Sequence, residues 1–250
     1  MVLMAIVGEL GAGKCFTKDT LIGVINDGKF KLLTIGELFI RKDEFDELSV
    51  LSFDGNSLRR CRSFVIYKEP AKRVVVIRTR NKRELKLSGK HKLPIYRNGL
   101  KWVEASKLKE GDLLLVPSYL PMEDKEEEWG DISWVIGLYV AEGHNGVISN
   151  KDEGIIEKLC KITGKEVFKE RRGCKYVKVG EWIERGLKLT RSREKYIPKH
   201  FFNNRNDAIK FIAGFFDGDG YFQKGENRIV FSSTSQRLLS QLSYLSLIHI

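Results

Sequence analysis

A phosphate-binding loop dictates a fold only if a helix follows it, and in this chain the helix is missing. Gly8-Glu9-Leu10-Gly11-Ala12-Gly13-Lys14 fits the pattern G-x-x-x-x-G-K. The next residue should be Ser or Thr, whose hydroxyl holds magnesium, opening a helix whose N-terminal amides receive the phosphates. Here it is Cys15, followed by Phe16-Thr17-Lys18-Asp19-Thr20-Leu21-Ile22, β-branched and turn residues with no helical period. A nucleotide site made of Gly8, Gly13 and Lys14 is begun and then interrupted at a cysteine. The opening Val2–Val7 lacks a basic leader and runs into the glycines, so it is expected to be a strand and not a signal peptide.

With 42% hydrophobic and 31% charged residues the chain of 250 is core-forming, sized for one large or two ordinary domains. No apolar run nears the ~20 residues that span a bilayer. Cys15, Cys61, Cys160 and Cys174 form neither a metal-type pair nor a disulfide framework, so a reducing, cytoplasmic setting is expected. The net charge of +11 favours a polyanionic partner, with a solvated basic surface as the ordinary alternative.

Residues 15–120 are expected to be β-rich. Val74-Val75-Val76-Ile77 is a β-branched run, and Leu85, Leu87, Leu93 and Ile95 supply further strand positions. Arg97-Asn98-Gly99 predicts a tight hairpin, Leu113–Val116 a short buried strand, and Leu33–Ile40 a turn or two of helix. The acidic piece at 121–128 is expected to be a linker. From Trp129 apolar helices at 132–142 and 207–217 alternate with strands such as Tyr176-Val177-Lys178-Val179, an α+β pattern.

Two segments match one another: Val135-Ile136-Gly137-Leu138-Tyr139-Val140-Ala141-Glu142-Gly143 and Ile212-Ala213-Gly214-Phe215-Phe216-Asp217-Gly218-Asp219-Gly220. Small residues four apart (Gly137 and Ala141, Gly214 and Gly218) lie on one helix face, where two backbones can approach. Each helix ends in an acid followed by glycine, the usual C-terminal helix stop. An acid at the negative end of a helix dipole costs ~0.3–1 kcal/mol, and pairing the helices would bring Glu142 and Asp219 together. A divalent cation would resolve both penalties. Two ordinary glycine-capped helices would be the plain reading of either segment alone.

These segments resemble the LAGLIDADG motifs of homing endonucleases, with Glu142 where Asp is usual. Lys195-Tyr196-Ile197-Pro198 is similar to the Lys-x-Ile-Pro block of the same enzymes. That resemblance implies Glu142 and Asp219 as catalytic ligands of Mg2+, Lys195 as the basic residue at the scissile phosphate, and double-stranded DNA as the partner of a monomer. Phe231-Ser232-Ser233-Thr234-Ser235 leading into Arg237 looks like a further block without obvious chemistry.

Such endonucleases are commonly nested in inteins, and Cys15-Phe16-Thr17-Lys18-Asp19-Thr20 resembles an intein's first splice block. Residues 1–14 would then be the end of the host in cis, the N-extein. Cys15 would be the nucleophile that turns the Lys14–Cys15 peptide bond into a thioester. Ser88-Gly89-Lys90-His91 resembles the Thr-x-x-His block, with Ser88 holding the scissile amide and His91 protonating its nitrogen. A lone His in a basic hairpin is otherwise a surface residue. Glu110-Gly111-Asp112 looks like another block, though Asp112 also suits a plain turn.

The expected fold is therefore an all-β, horseshoe-like Hint splicing domain at 15–120 followed by an α+β LAGLIDADG domain at 129–244, incomplete at its C-terminus. Leu245-Ser246-Leu247-Ile248-His249-Ile250 matches a translated sequencing adaptor, and the expected C-terminal splice residues are absent, so this chain is expected neither to splice fully nor to cut DNA efficiently. The host is expected to be a P-loop ATPase, its missing loop residue supplied by the Ser or Thr after the intein. Two rivals stand: an endonuclease or DNA-binding protein whose Hint domain no longer splices, and a P-loop ATPase in its own right.

Overall fold

The computed structural model describes residues 2–8, 14–45, 47–62, 64–70, 73–80, 83–118, 120, 127–180, 183 and 195–246. Outside these lie most of the glycine loop, including Gly13, much of the expected linker, and the last four residues. The chain divides into two compact units, Met1–Pro121 and Met122–Ile250. Among the described residues no helix is long and apolar enough to cross a membrane.

The first unit carries β1 (Val2–Gly8), β2 (Lys14–Thr17), β3 (Leu21–Asn26), β4 (Lys29–Thr34), α1 (Ile35–Arg41), β5 (Leu48–Phe53), β6 (Leu58–Cys61), β7 (Phe64–Pro70), β8 (Val74–Arg78), β9 (Glu84–Ser88), β10 (Lys92–Tyr96), β11 (Leu100–Glu104) and β12 (Leu113–Leu114). They form three antiparallel sheets in the orders β7-β1-β2-β9-β8, β4-β3-β5-β6 and β11-β10-β12. Strands β3 and β4 meet at Asp27-Gly28, with φ of 51° and 72°, the paired positive angles a two-residue hairpin demands. Asn98 and Gly99 turn β10 into β11 in the same left-handed region. Helix α1 starts at Ile35, two residues after the expected start, because Thr34 and Glu37 close a capping box. The Glu37 amide donates to Thr34 Oγ1 (3.1 Å) and the Glu37 carboxylate accepts from the Thr34 amide (2.7 Å). Leu38 on its inner face packs with Val24, Val50 and Ile66 in a buried cluster.

One expectation fails here. Leu113–Val116 is not a buried strand: Leu113 and Leu114 pair with β10 and the Leu115 amide donates to the Pro94 carbonyl at 3.0 Å, but Leu113 and Val116 are 63% and 70% exposed. An edge strand has one hydrogen-bonded neighbour, so an apolar run there is not automatically covered.

The second unit carries α2 (Ile132–Glu142), β13 (Val147–Asn150), α3 (Glu153–Thr163), β14 (Val167–Arg171), β15 (Cys174–Lys178), α4 (Arg205–Asp219), β16 (Gly220–Gln223), β17 (Arg228–Phe231) and α5 (Gln236–Ser246). Its sheets are β13-β15-β14 and the hairpin β16-β17. Helix α2 is buried on every side from Ser133 to Val140, as an all-apolar helix must be. It packs on α4 backbone to backbone. A Cβ on Gly137 would overlap the Phe211 carbonyl, one on Gly214 the Trp134 carbonyl, and one on Gly218 would stand 2.5 Å from the Ala141 Cβ. The buried Tyr139 hydroxyl accepts the Gly146 amide at 3.0 Å.

The glycines after the two acids end the helices as expected, though without a left-handed turn. Gly143 and Gly220 have φ of −73° and −96°, an extended backbone open to any residue. What excludes a side chain is space: a Cβ would run into the Tyr139 ring at Gly143 and into Phe216 at Gly220. The left-handed stop does occur at Gly164, after α3, with φ of 65°.

A buried clasp joins the start of this unit to α4. The Asp207 carboxylate, fully buried, accepts the amides of Trp129 (2.6 Å) and Gly130 (3.0 Å) and His200 Nε2–H (2.6 Å). Burial pushes its pKa up, but the Trp129 amide and His200 outweigh that and hold it below the ordinary value. The Trp129 ring stacks on His200 with centroids 3.8 Å apart. At the other end Leu245, part of the adaptor-like tail, is fully buried in α5.

Candidate functional site

In the first unit Cys15 sits inside β2, so the Lys14–Cys15 peptide bond is part of an extended strand, with Ala5 opposite Cys15 and Ile6 opposite Lys14. Lys14 therefore opens a strand where a nucleotide site would need a helix, and Gly8 ends β1. On the far side of β2, Phe16 pairs with Leu87 of β9. That antiparallel register sets Ser88, the last residue of β9, across from Cys15. The chain then turns: the His91 amide donates to the Ser88 carbonyl at 3.1 Å. His91 is 3% exposed, not the surface residue a lone His suggests, and its ring meets the Phe16 ring edge-on with centroids 4.4 Å apart. Cys15 is 4% exposed. Cys15, Ser88 and His91 are thus brought to one place by two adjacent strands and one turn.

What holds that turn has no signal in the sequence. The Ala105 amide donates to the His91 carbonyl (2.8 Å) and the Ser106 amide to the Gly89 carbonyl (3.0 Å), so the short 3-10 turn Ala105–Lys107 buttresses Ser88–His91 from behind. Asp112 is a turn residue with a partner. It accepts from Arg97 Nε at 2.7 Å and from the Lys109 amide at 2.8 Å. The Arg97 hydrogen bond holds its carboxyl below the ordinary range, helped by Lys109.

In the second unit Glu142 and Asp219 are the last residues of α2 and α4, the two helices whose small residues interlock. Both carboxyls are pushed up, chiefly by burial. Asp219 raises Glu142 further, and Lys195 pulls both back down. Lys195 Nζ donates to the Ala141 carbonyl at 3.1 Å, a cation at the negative end of α2. The three residues singled out in the sequence, Glu142, Asp219 and Lys195, therefore form one group.

Three further residues complete it. Asn150 Nδ2 of β13 donates to Glu142 Oε2 at 2.8 Å. Ser235, at the start of α5, donates its hydroxyl to the Lys195 carbonyl (2.7 Å) and accepts the Leu238 amide (3.2 Å). The buried Gln241 side chain accepts the Ile197 amide at 2.8 Å. Ser235 and Gln241 thus hold the extended segment Lys195–Ile197. Only the likeness of Phe231–Ser235 to a block hints at a role, because Ser and Gln carry no signal of their own. Among the described residues no cluster of three or more His, Cys, Asp or Glu could hold a metal; two carboxylates are what this group offers.

The intein splicing domain family matches residues 24–231. The chain belongs to that family, whose members carry out autocatalytic protein splicing. Among its relatives is the replication factor C small subunit of Methanocaldococcus jannaschii, 30% identical over 95% of this chain and 14% of the relative. The replication factor C small subunit of Thermococcus kodakarensis is 30% identical over 95% of this chain and 29% of its own length. An ATP-dependent DNA helicase of Methanocaldococcus jannaschii is 26% identical over 83% of this chain and 19% of its own length. This chain therefore spans less than a third of each.

Proposed function

We propose that this chain starts splicing at Lys14–Cys15 and that its second unit is a LAGLIDADG-type, metal-dependent DNA endonuclease. The observation that carries the first half is the register that sets Ser88 across from Cys15 and turns His91 in behind it. Cys15 Sγ attacks the Lys14 carbonyl carbon. A C–S bond forms, the C–N bond breaks, and the thiol proton ends on the freed Cys15 amine with His91 as the relay. Ser88 steadies the scissile amide. The extended strand holds the bond straight on a scaffold of backbone pairs. Hydroxylamine, which cleaves thioesters at rates peptide bonds do not approach, tests this reading: Cys15→Ala is expected to leave the chain whole where the parent is cut.

The matching of one segment to relatives named for different host activities, a replication factor and a DNA helicase, supports an element inserted in a host. In that reading Gly8, Gly13 and Lys14 belong to the host's phosphate loop.

The endonuclease half is favoured by the paired helix ends. Glu142 and Asp219, half-buried and pushed towards the neutral form, sit with Lys195 and suit one hard divalent cation completed by water and phosphate oxygens. Mg2+ there would neutralise charge and supply a nucleophilic water. Glu142 and Asp219 would hold it, Asn150 orients Glu142, and Lys195 offsets phosphate charge. Basic residues on exposed strands of this unit, Lys169 and Arg171 of β14 and Arg228 of β17, supply sequence-independent attraction to duplex DNA.

Glu142→Gln separates activity from stability. A carboxyl whose folded pKa is raised contributes least at neutral pH: its stability is fully present below the unfolded pKa and falls as pH rises through the folded one. The substitution is expected to raise the melting temperature of the second unit at pH 7 by about 1–3 °C, with no gain at pH 3.5. It is also expected to abolish the weak Mg2+-dependent cutting of duplex DNA that carries the uninterrupted host coding sequence. A Glu142→Gln protein that cuts as the parent does would take Glu142 out of the metal site, and a parent with no Mg2+-dependent cutting would remove the endonuclease reading.

A further inference from the structure

The segment upstream of the cut is built into the sheet that carries the cut. Strand β1 lies inside the order β7-β1-β2-β9-β8, between β7 and β2. It pairs with β7 along its whole length, from Val2 opposite Pro70 to Gly8 opposite Phe64. With β2 it pairs at Leu3–Thr17, Met4–Phe16, Ala5–Cys15 and Ile6–Lys14. Breaking Lys14–Cys15 severs only the last of these from the body of the fold. Cys15, Phe16 and Thr17 stay behind as partners, and so does all of β7.

We infer that residues 2–8 are a structural strand of the splicing unit, held by backbone pairing, so that the peptide ending at Lys14 stays in place after its bond to Cys15 is cut. This rests on the splicing reading for the cut itself, though not for the strand. Removing β1 would uncover two strand edges at once, that of β7 and that of β2. It would also open the flank of Ile66 and Cys15, both buried and each opposite a β1 residue. A strand gripped on both edges through its main chain is the arrangement by which sheets capture peptides with tolerance for side chains. The kind of partner this slot accepts is therefore an extended segment of almost any sequence that lacks proline within residues 3–7. Between the steps of splicing the acyl group of Lys14 is bonded to Cys15 Sγ as a thioester, and the paired strand keeps that thioester in register with the sheet.

Two measurements on the full chain test this. Hydrogen exchange on the uncut protein is expected to slow the amides of residues 3–7 by at least about tenfold relative to an unstructured segment. Free exchange there overturns the inference whatever the chemistry does. Hydroxylamine-treated protein is then examined by native mass spectrometry: the peptide of residues 1–14 is expected to remain in complex with residues 15–250, and to dissociate when Met4→Pro or Ala5→Pro is introduced. Cut protein whose peptide leaves at once overturns the inference while sustaining the splicing reading. Protein that is not cut counts against the splicing reading, and exchange then decides the strand alone.

Discussion

Gly214→Val is expected to unfold the second unit or to weaken it by at least about 3 kcal/mol. The position a side chain would take at Gly214 is filled by the Trp134 carbonyl, and the same contact recurs in reverse between Gly137 and Phe211. Backbone cannot move aside as a flexible side-chain end can, so α2 and α4 must separate, and with them the helix ends that carry Glu142 and Asp219. Gly154→Ala in α3 is the control: the added methyl meets only the Asp152 carboxylate at 3.3 Å, and alanine favours a helix. Hydrogen exchange on α2 peptides separates the two variants, with β9 of the first unit as the internal reference. Equal stability of the two variants would mean that the helix pair is not packed as described.

His91→Ala is expected to slow hydroxylamine cleavage after Lys14 by ~10²–10⁴-fold, the usual worth of a positioned proton donor. The first unit should remain folded, since the turn is tied through main-chain bonds of Ser88, Gly89 and His91 that the substitution leaves in place. Cleavage half-times read beside the exchange rates of β9 separate a chemical role from a structural one. A rate unchanged in His91→Ala would take the imidazole out of the mechanism.

The sequence makes some of this legible and leaves the rest unreadable, for reasons visible in particular residues. The helices ending at Glu142 and Asp219 stand out because the first is apolar all round and buried, and the second carries its apolar and small residues Ala208, Phe211, Gly214 and Phe215 at helical spacing. Val74–Ile77 and the Asn98-Gly99 turn are local signals of similar strength. Gly143 and Gly220 fall where a helix stop is expected but make no left-handed turn, because glycine serves both left-handed turns and close contacts, and only the position of Tyr139 and Phe216 distinguishes them. The exposure of Leu113–Val116 is hidden from the sequence because a strand's position within a sheet is a non-local property. His91 reads as a surface residue for the same reason: what covers it comes from Phe16 in β2 and the Ala105–Lys107 turn. Ser235 and Gln241 act through hydrogen bonds to groups 40 and 44 residues away, and Asn150 through one bond across a turn to Glu142; no periodicity encodes such bonds.

On the proposed mechanism Cys15 takes the acyl group of Lys14 from its own backbone nitrogen. The most direct test of that step is the mass of the pieces formed when the purified chain is held in neutral hydroxylamine. The mechanism predicts a single new peptide, residues 1–14 ending in a lysine hydroxamate, together with a body that begins at Cys15 with a free amine and thiol. A chain that stays intact, or breaks elsewhere with the Lys14–Cys15 bond untouched, would contradict it.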